Sequence, residues 1–420
     1  MVKEGYKLTE AGLIPEDWDT IPFEECFDIL SNNTLARADL NYYSGIVRNI
    51  HYGDVLTKFD VLIDCSTDQL PFVNASCLSK CGTSLLKDGD IVIADTAEDE
   101  TVGKAVELRN VVDSSIVSGL HTIPCRPKNP EKFVPKWLGY YLNYRSYHDQ
   151  LLPFITGIKV SSITRAVLPD TVVAIPSKRE QELIVNALMD IDKLIKQIQS
   201  ELEKLKNLKI AYLSELLPHS GNNLPSIRMQ GFESAWQTKR LGECLMERNE
   251  RSAEGELISV TINDGIKKFS ELGRYDKSSE DKTNYKYVVA GDIVYNTMRM
   301  WQGASGLSPY SGIVSPAYTV LTAKENMSSA FFSYAFKQPE MINKFLVYSQ
   351  GMTSDTWNLK YPLLAEIEMF VPEYEEQLAI VERFEQLDSL IRNTESKLDK
   401  YRKMKSGMMD ELLTGKTRLV

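Results

Sequence analysis

The sequence has no excess of positive charge and no long apolar run, and it contains few cysteines and histidines. Its 420 residues include 48 basic and 58 acidic side chains, which gives a formal net charge of −10. Because a protein that binds DNA must meet phosphates with lysine and arginine, this balance argues against a DNA-binding surface spread over the whole chain. A surface that contacts DNA must therefore be locally positive, or partner proteins must supply much of the phosphate contact.

The charge is also distributed unevenly along the chain. Residues 1–177 carry 16 basic and 24 acidic side chains, whereas residues 218–372 carry 16 and 17. The stretches 178–217 and 373–420 are close to neutral, with 7 and 7 and with 9 and 10. No region is basic overall, so composition alone does not point to a nucleic-acid partner.

The absence of an apolar run of eighteen residues predicts that the chain does not enter a membrane, and Met1–Lys7 lacks the apolar stretch of a signal peptide. The six cysteines are scattered and form no disulfide framework, which is typical of a reducing compartment. We therefore expect a cytoplasmic protein.

Metal-binding and catalytic motifs are also missing. Cys77-x3-Cys81 and His121-x3-Cys125 offer zinc ligands, but the spacing is loose and the second half has no counterpart, so we predict no metal site. GxSxG and HExxH motifs do not occur, and neither does the Asn/Asp-Pro-Pro-aromatic signature of amino-methyltransferases. Leu413–Thr417 mimics the end of a phosphate-binding loop, but Asp410 stands where that motif needs its first glycine. We therefore expect no catalytic centre.

What the sequence does contain is a long internal repeat. The stretch that begins at Glu180 recurs from Glu376, without a gap and at an offset of 196 residues. Upstream, Gly89–Val92 recurs as Gly291–Val294, and Trp18–Cys26 resembles Trp236–Cys244. A period this long indicates duplicated domains rather than the units of a solenoid.

Both copies end in a predicted long helix with a heptad spacing of apolar residues. The first seam comprises Ile184, Leu188, Ile191, Ile195, Ile198, Leu202 and Leu205, and the second comprises Ile380, Phe384, Leu387, Ile391, Leu398 and Tyr401. Lys209, Thr394 and Lys405 are polar interruptions of this pattern.

Each seam needs a partner. The helices either pack separately on their own domains or pair with each other as a coiled coil. We favour an antiparallel pair, because each helix follows its own globular domain and the repeat then acquires an approximate twofold symmetry. About 38 residues at ~1.5 Å per residue make a rod of roughly 57 Å, long enough to serve as a ruler.

The globular halves combine short β-rich runs, such as Asp90–Ala94 and Asp292–Tyr295, with polar loops and amphipathic segments at Lys136–Tyr144 and Ser329–Phe336. The predicted fold is therefore α+β, with two similar domains in tandem, each followed by a long helix. The predicted boundaries are domain 1 at 1–177, helix 1 at 178–217, domain 2 at 218–372, and helix 2 with the C-terminal tail at 373–420.

Taken as a whole, the chain closely resembles the specificity subunits of type I restriction-modification systems over nearly its full length. The elements that carry the resemblance are Gly12–Trp18, the paired Pro-x-x-x-Glu-Gln helix entries at Pro176–Gln181 and Pro372–Gln377, and the terminal Glu411–Lys416. Any one of these motifs is weak, but their duplicated order is specific.

The resemblance implies two target recognition domains that each read one half of a split double-stranded DNA sequence, with the helices fixing the spacer. It also implies a non-catalytic subunit on which modification subunits, two in number, and a restriction motor-nuclease subunit assemble to methylate adenine and cleave DNA. S-adenosylmethionine, ATP and Mg are then expected on the partner subunits, and no cofactor on this chain.

Within that reading, base contacts require donors and acceptors on exposed loops. Near a predicted turn at Val47–Asp54 and just after it we choose Arg48, Asn49, His51, Tyr52, Thr57 and Lys58, and before the first helix we choose Lys159, Ser161 and Ser162. In the second half we choose Lys267 and Lys268, together with Asn296, Arg299, Trp301 and Gln302. For any one of these residues, a surface salt bridge or a place in the core is the competing interpretation.

Two other classes of protein remain open at this point. A coiled-coil scaffold that binds proteins through its two domains fits the acidic balance better than a DNA reader does. A stand-alone enzyme is the third possibility, and the missing catalytic motifs count against it. The divergent, loop-rich domains on similar helices favour the DNA reader.

Overall fold

The fold is described from a computed structural model, which covers residues 4–82, 84–112, 115–157, 159–218, 223–262, 265–273, 275, 278–353 and 356–419. Contacts divide the chain into unit 1, residues 1–197 and 398–420, and unit 2, residues 198–397. The division falls inside both long helices. Each unit therefore consists of a globular part and one segment from each long helix. None of the helices in the described ranges has the length and apolar character needed to cross a membrane.

Unit 1 is rich in short strands. They are β1 Tyr6–Thr9, β2 Gly12–Pro15, β3 Asp19–Pro22, β4 Phe27–Ile29, β5 Leu40–Asn41, β6 Val47–Ile50, β7 Leu62–Asp64, β8 Phe72–Val73, β9 Ile91–Ala94, β10 Thr96–Ala97, β11 Ala105–Arg109, β12 Ser115–Ser118, β13 Thr122–Pro127, β14 Ser161–Ser162 and β15 Val172–Ile175. Its short helices are α1 Phe23–Cys26, α2 Tyr52–Thr57, α3 Trp137–Tyr141 and α4 Arg145–His148, and the first long helix is α5 Lys178–Glu215. Turns of 3₁₀ helix lie at Arg37–Asp39, Ala75–Lys80, Pro130–Lys132, Leu152–Phe154 and Arg165–Asp170.

Unit 2 repeats the plan with fewer strands. They are β16 Gln237–Arg240, β17 Leu245–Glu247, β18 Ile258–Thr261, β19 Gly265–Lys268, β20 Lys286–Val288, β21 Ile293–Asn296, β22 Ser305–Leu307, β23 Gly312–Val314, β24 Tyr318–Ala323 and β25 Glu368–Val371. Its helices are α6 Leu241–Cys244, α7 Ser329–Ala335, α8 Pro339–Tyr348, α9 Tyr361–Ala365 and the second long helix α10 Tyr374–Leu412, with 3₁₀ turns at Phe269–Leu272 and Met300–Gln302.

The main sheets of the two units share four corresponding strands, and β7 of unit 1 has no counterpart in the sheet of unit 2. The five-stranded sheet of unit 1 has the order β4-β13-β9-β11-β7, and the four-stranded sheet of unit 2 has the order β17-β24-β21-β22. The central strands β9 and β21 are the repeated apolar runs of the sequence. Ile91 and Ile93 enter one core of unit 1, whereas Val92 enters the other, as alternation along a strand requires. A strand buried on both faces is expected to be apolar throughout.

A buried aspartate precedes each central strand. Asp90 accepts two hydrogen bonds from Arg126, at 2.9 and 2.7 Å, and Asp292 accepts two from Arg248, at 2.8 and 3.0 Å. The arginines come from non-equivalent strand positions, since Arg126 lies in β13 and Arg248 directly follows β17. The carboxylate is therefore retained in both units, while its partner has changed place.

The Glu-Gln pair of each helix entry joins a long helix to its globular part. Glu180 is buried and accepts hydrogen bonds from Trp18 Nε1 at 3.0 Å and from the Arg418 guanidinium. In unit 2, Glu376 is buried and accepts from Trp236 Nε1 at 3.1 Å and from Arg228 at 2.9 Å.

The glutamine that follows the glutamate forms hydrogen bonds with backbone groups. Gln181 accepts from the Val134 N–H at 2.9 Å, and Gln377 accepts from the Ser328 N–H at the same distance. Both glutamine amides also donate to the carbonyl of the proline that opens the motif, Pro176 or Pro372. The motif is thus a joint that satisfies buried polar groups at the start of each helix.

Within each unit the two helix segments run antiparallel. In unit 1, Asp192 of α5 contacts Lys405 of α10 at 2.8 Å, and Glu180 contacts Arg418 farther along the chain. In unit 2, Lys209 of α5 contacts Asp388 of α10 at 2.5 Å, and Lys206 contacts Glu395 at 2.7 Å. As residue numbers rise on one segment they fall on the other, which confirms the antiparallel arrangement within the predicted α+β fold.

The two lysines that interrupt the apolar seams are the partners of these aspartates. The pattern is reciprocal under the repeat, because Lys405 corresponds to Lys209 and Asp192 to Asp388. A tyrosine completes each contact, with Tyr140 donating to Asp192 at 2.6 Å and Tyr334 donating to Asp388 at 2.9 Å. Burial alone would lower the pKa of the Lys405 ammonium, but Asp60 and Asp192 together raise it.

The apolar seam residues fill the remaining space around these polar contacts. Ten of the thirteen are buried, and Leu202, Leu205 and Tyr401 are partly buried. Near the globular parts the seam merges with the domain cores, with Ile184 and Leu188 in the core of unit 1 and Ile380 and Phe384 in that of unit 2. The helices therefore pack on the globular parts and on each other.

Another buried carboxylate holds the aromatic helix of unit 1. Glu107 of β11 accepts from the Lys136 N–H at 2.6 Å and from the Gly139 N–H at 3.0 Å. These bonds hold α3 against the sheet, so that Trp137 and Tyr141 become core residues. Burial raises the pKa of Glu107 to about 7 despite those two donors.

We predict that replacing Lys209 by Met destabilises unit 2 by roughly 1–3 kcal/mol. The substitution leaves the partly buried Asp388 carboxylate without its cation, and the usual penalty is reduced because the pair retains some access to solvent. Urea unfolding followed by circular dichroism measures the change. Lys206→Met is the matched control, because its ion pair with Glu395 is exposed and should contribute less than about 1 kcal/mol. Equal effects of the two substitutions would contradict this account.

We also predict that Glu107 makes unit 1 less stable as the pH rises. The ordinary pKa of glutamate is about 4.3 and that of Glu107 is about 7, so the folded chain keeps a proton that the unfolded chain has released. The free energy of unfolding should therefore fall between about pH 4.5 and pH 7, by roughly 2–4 kcal/mol from this group. Glu107→Gln should remove that part of the fall, whereas exposed Glu131→Gln should not. Parallel pH curves for wild type and Glu107→Gln would refute the prediction.

Candidate nucleic-acid interface

Each unit carries two loops that are held together by the same backbone hydrogen bonds, and we call them the paired loops. The first loop follows the central strand and comprises residues 95–103 in unit 1 and 297–303 in unit 2. The second loop contains a bridge between Thr156 and Ser162 in unit 1, and between Gln350 and Asn358 in unit 2. The Ile163 N–H donates to Asp95 O at 2.9 Å, and the Leu359 N–H donates to Thr297 O at 2.9 Å.

A glycine shapes the second loop in both units. Gly157 has φ +112° and Gly351 has φ +151°, which L side chains rarely adopt. A Cβ atom at Gly157 would lie 1.9 Å from Val160 O, and one at Gly351 would lie 2.6 Å from Thr356 O. The same backbone frame is therefore retained in both units, at positions related by 194 residues.

In unit 2 the paired loops are fastened by two tryptophans. The ring centroids of Trp301 and Trp357 lie 5.2 Å apart, with the planes at 83°. Trp301 Nε1 donates to Met298 O at 3.2 Å, and the Asn296 side chain accepts from the Met298 N–H at 3.0 Å. Both rings are half-exposed, so the pair offers apolar ring surface on the paired loops.

The ammonium group of a partly buried lysine forms hydrogen bonds with the backbone at the end of this first loop. Lys337 donates to Gly303 O at 2.7 Å and to Ser305 O at 2.8 Å, and burial lowers its pKa to about 8. These bonds bind its ammonium group to the loop backbone, so it does not present a charge to a ligand.

Arg299 is the cation that the first loop of unit 2 presents. Its side chain is half-exposed, and within the described part of the chain its guanidinium has no hydrogen-bond or ion-pair partner. Gln302, three residues later, is exposed. Of the residues predicted from sequence to contact DNA, Arg299, Trp301 and Gln302 lie in this loop, and Asn296 is the last residue of β21, directly before it.

The first loop of unit 1 has opposite charge. It contains Asp95, Glu98, Asp99 and Glu100, and no lysine or arginine between residues 95 and 103. Thr101 donates to Asp99 from its hydroxyl and its backbone N–H, which lowers the pKa of that carboxyl. The Oδ1 atom of Asp95 lies 3.3 Å from Nδ1 of His121. The two units therefore present different chemistry on the same backbone frame.

The predicted turn at Val47–Asp54 is wrong, because this segment forms strand β6 followed by helix α2. Asn49 is 0% exposed and accepts from Asn33 Nδ2 at 2.8 Å. His51 is 7% exposed and caps α2 by accepting from the Gly53 N–H at 3.2 Å. Neither side chain stands on an exposed loop. Val47 and Arg48 of β6 are partly buried, whereas Asn49 and Ile50 are both fully buried.

The other residues chosen near this segment keep some exposure. Arg48 donates to Cys65 O at 3.1 Å and lies over the Phe72 ring, while Lys58 donates to Gln69 O and lies near the Tyr42 ring. Thr57 donates to Gly53 O at 2.7 Å, and Tyr52 packs edge-on against His121. Their contact with DNA stays a prediction.

Ser161 and Ser162 lie in a short strand rather than a loop. β14 pairs with β10 in unit 1, which places Ser162 opposite Thr96 and therefore next to the first loop. Lys159 is exposed on the same second loop. In unit 2, Lys267 and Lys268 lie in β19, and Lys268 is 3.5 Å from Glu256. These lysines are on a different hairpin from the paired loops.

Trp357 is a site residue that is not among those predicted from the sequence. An isolated tryptophan in a polar stretch is more often a core residue, so composition gives no reason to choose it. The available signal was positional, because Ser161 and Trp357 are related by the offset of 196 and both follow a repeated glycine. Aligning the two copies through this segment would have placed Trp357 beside the chosen serines.

The cysteines are not arranged for metal binding or nucleophilic chemistry. No cluster of three His, Cys, Asp or Glu side chains suited to a metal ion occurs among the residues that the structure covers. All six cysteines are free. Burial raises the pKa of the Cys26 thiol to about 11 and that of the Cys65 thiol to about 12. Both are therefore protonated at neutral pH, unlike a reactive thiolate.

Fold and loops together define a protein with two related α+β units, each with antiparallel segments of both long helices and with a pair of loops whose backbone bonds are the same in the two units but whose side chains differ. The model of the type I restriction modification DNA specificity domain family matches residues 15–204 and 233–400. The chain belongs to this family, whose members act as the DNA-recognising specificity subunits of restriction-modification systems.

Individual relatives agree with this assignment. A Methanocaldococcus jannaschii protein named for the specificity subunit of the type I restriction enzyme MjaX is 23% identical over 439 residues, covering 99% of this chain and 97% of that protein. The MjaVIII specificity subunit of the same organism is 24% identical over 219 residues, covering 51% of this chain and 48% of its own.

Solved structures share the fold at low identity. The specificity subunit of the M. genitalium type I system superposes with a TM-score of 0.52 at 13% identity, covering 94% of this chain and 96% of that chain. A chain from a structure that addresses complex assembly and conformational transition of the type I system has a TM-score of 0.55 at 15% identity, covering 96% and 99%.

We predict that Trp357→Ala loosens the first loop of unit 2. An edge-to-face aromatic pair contributes about 0.5–1.5 kcal/mol, so amide exchange at Gln302, Gly303 and Ala304 should accelerate roughly two- to twelvefold. Hydrogen–deuterium exchange with mass spectrometry measures this directly. Trp357→Phe keeps a ring and should retain most of the protection. Unchanged exchange in Trp357→Ala would show that the tryptophan pair does not hold the loop.

Proposed function

We propose that this chain is the DNA sequence-recognition subunit of a type I restriction-modification complex, in which each unit reads one half of a bipartite double-stranded target. The observation that carries the proposal is the pair of equivalent backbone frames with different side chains. A reading device must keep its geometry while its contacts vary with the sequence that it reads. A duplicated frame with divergent loops meets that requirement twice in one chain.

The proposal assigns no catalysis to this subunit. Modification subunits would methylate adenine with S-adenosylmethionine, and a restriction motor-nuclease subunit would use ATP and Mg to cleave DNA. This division is supported by the missing methyltransferase signature and by the protonated thiols described above. It also explains how an acidic chain takes part in DNA binding, because the partners can supply phosphate contacts. Such a complex would act in the cytoplasm.

Spacer length and partner binding would be functions of the helices. We propose that the shared helices fix the gap between the two half-sites, with the reciprocal Asp–Lys contacts setting their register. Exposed apolar side chains on the same helices offer a place for modification subunits. Leu194 and Leu208 of α5 are 42% and 40% exposed, and Leu390 and Met404 of α10 are 53% and 45% exposed. Isolated exposed leucines are ordinary, but these four are related in pairs by the repeat.

Each unit contains two of these four side chains, one from each long helix, and we call them the apolar pair of that unit. Asp192 meets Lys405, so Leu194 lies at about the level of Met404 in unit 1. In unit 2, Lys209 meets Asp388, which brings Leu208 to about the level of Leu390. At about 100° per residue, Leu194 and Leu390 point away from the face on which the aspartates meet their tyrosines. We propose that each pair contacts one modification subunit, which gives two per complex.

A scaffold that binds only proteins is the competing function. It predicts a stable complex without DNA specificity, and the acidic composition favours it. The divergence of the paired loops on a constant frame favours the DNA reader.

The test is to co-express the chain with its neighbouring modification subunit and to map methylated adenines genome-wide by single-molecule sequencing. A two-part motif with a fixed gap is expected. Methylation at a single continuous motif, or a stable complex that methylates nothing, would contradict the proposed function.

We predict that Leu194→Glu and Leu390→Glu each reduce the number of bound modification subunits from two to one, and that the double variant binds none. A charge placed in an apolar contact must be desolvated, which opposes docking. Light scattering after size-exclusion chromatography gives the stoichiometry. Ile210→Glu is the matched control, because Ile210 is 65% exposed but lies about 200° round the helix from Leu208. Two bound subunits in the double variant would exclude this surface.

A further inference from the structure

We propose that Arg299 is a specificity-determining residue that reads a guanine in the half-site of unit 2, with the Trp301–Trp357 pair as its apolar support. The inference rests on the proposed function and names the base and the side chain through which one unit reads. It goes beyond a general assignment to DNA binding, since most arginines of the chain are committed to other contacts.

The first ground is that the Arg299 guanidinium has no side-chain partner among the described residues, whereas the other described arginines of this region have one. Between residues 223 and 372, the other arginines that the structure describes all have side-chain partners. Arg228 binds Glu376, Arg240 binds Glu366, Arg248 binds Asp292, and Arg251 binds Asn284. An arginine carries five N–H donors in a planar fork, which matches an acceptor pair on one ligand. Among the described arginines in this range, Arg299 is the one whose N–H donors are available to a ligand.

The second ground is that the backbone of Arg299 is fixed while its side chain is free. Its N–H donates to Asn296 O at 3.0 Å, and its carbonyl accepts from Gln302 N at 3.0 Å and Ala304 N at 3.2 Å. Lys337 donates to the backbone of the same loop, and the contact between Trp301 and Trp357 joins it to the second loop. A donor on a rigid support loses less conformational entropy on binding than one on a mobile loop. The loop is therefore built to present this one group.

The third ground is the aromatic surface that the paired loops of unit 2 carry beside Arg299 in sequence and fold. A contact with a phosphate group requires a positive charge but does not require an aromatic surface nearby. The half-exposed rings of Trp301 and Trp357 instead suit the apolar and planar surfaces of nucleotides, such as a thymine methyl group. Guanine offers O6 and N7 as a pair of acceptors in the major groove, and arginine is the side chain that engages both at once. The combination favours base reading over backbone binding.

The corresponding loop of unit 1 lacks this device. Residues 95–103 contain no cation, and Ser161 stands at the position of Trp357. The two units therefore cannot read guanine in the same way at this place. A change at Arg299 should affect one half-site and leave the other intact.

The experiment uses the full chain co-expressed with the modification subunit in cells without endogenous adenine methylation. Wild type, Arg299→Ala, Arg299→Lys and Arg240→Ala are compared by single-molecule methylation mapping and by fluorescence anisotropy with duplexes that carry each base at the read position. Arg240→Ala removes the same charge from an exposed ion pair of unit 2 and is the matched control. Thermal unfolding of each complex confirms that the variants are folded.

We expect the wild-type motif to contain a guanine at a fixed position of one half-site. Arg299→Ala should reduce discrimination for that base roughly 5- to 150-fold, with the other half-site unchanged. Arg299→Lys should keep part of the preference, and Arg240→Ala should keep the wild-type motif. A motif unchanged in Arg299→Ala would overturn the inference, and so would a uniform loss of affinity over all sequences, which marks a phosphate contact. Absence of any two-part motif in the wild-type complex would instead refute the proposed function, before any variant is compared.

Discussion

The reciprocal contact between a partly buried aspartate on one helix and a lysine on the other is the interaction on which the rest of the structure depends. Apolar seams alone fix that two helices pack, but a heptad pattern permits slippage by whole turns. An aspartate that must meet one lysine and one tyrosine permits a single register. Because the contact occurs once in each unit with the roles of the helices exchanged, it ties each globular part to both helices. The position of the paired loops follows from that attachment.

The Glu-Gln helix entries perform a complementary task. The glutamate accepts hydrogen bonds from a tryptophan of the globular part and from an arginine beyond the end of a long helix. The glutamine forms hydrogen bonds with backbone groups at the joint. In unit 1 that arginine is Arg418, near the C-terminus, and in unit 2 it is Arg228, after the first helix. Each unit is thus completed by a segment distant in sequence. This explains why the motif is duplicated with so little change while the loops beside it diverge.

Much of the fold could be predicted from the sequence because it depends on periodic apolar patterns. The helix seams, the central strands and the aromatic helices have spacings that survive in both copies. The partners of Lys209 and Lys405 could not be predicted, since a lysine in a seam looks like an interruption until its opposite helix is known. The turn expected at Val47–Asp54 failed for a related reason. Asn49 is polar by type but pairs with Asn33 inside the fold, and sequence alone does not show such pairing.

The candidate site was only partly accessible to the same reasoning. Arg299, Trp301 and Gln302 are adjacent in sequence, so their clustering needed no tertiary information. Trp357 is brought to Trp301 by the hydrogen bond from the Leu359 N–H to Thr297 O, which joins the two loops and is a property of the fold.

The central claim, that the paired loops of the two units face two separate stretches of one duplex, is tested most directly by site-specific photo-crosslinking. A photoreactive amino acid is placed at exposed Met298 in unit 2 or at exposed Glu98 in unit 1, and the assembled complex is irradiated on a DNA duplex that contains its methylation site. The account predicts two separate clusters of crosslinks, one in each half-site, with the spacer between them unmarked. Crosslinks from both positions to the same half-site, or crosslinks scattered along the duplex, would contradict it.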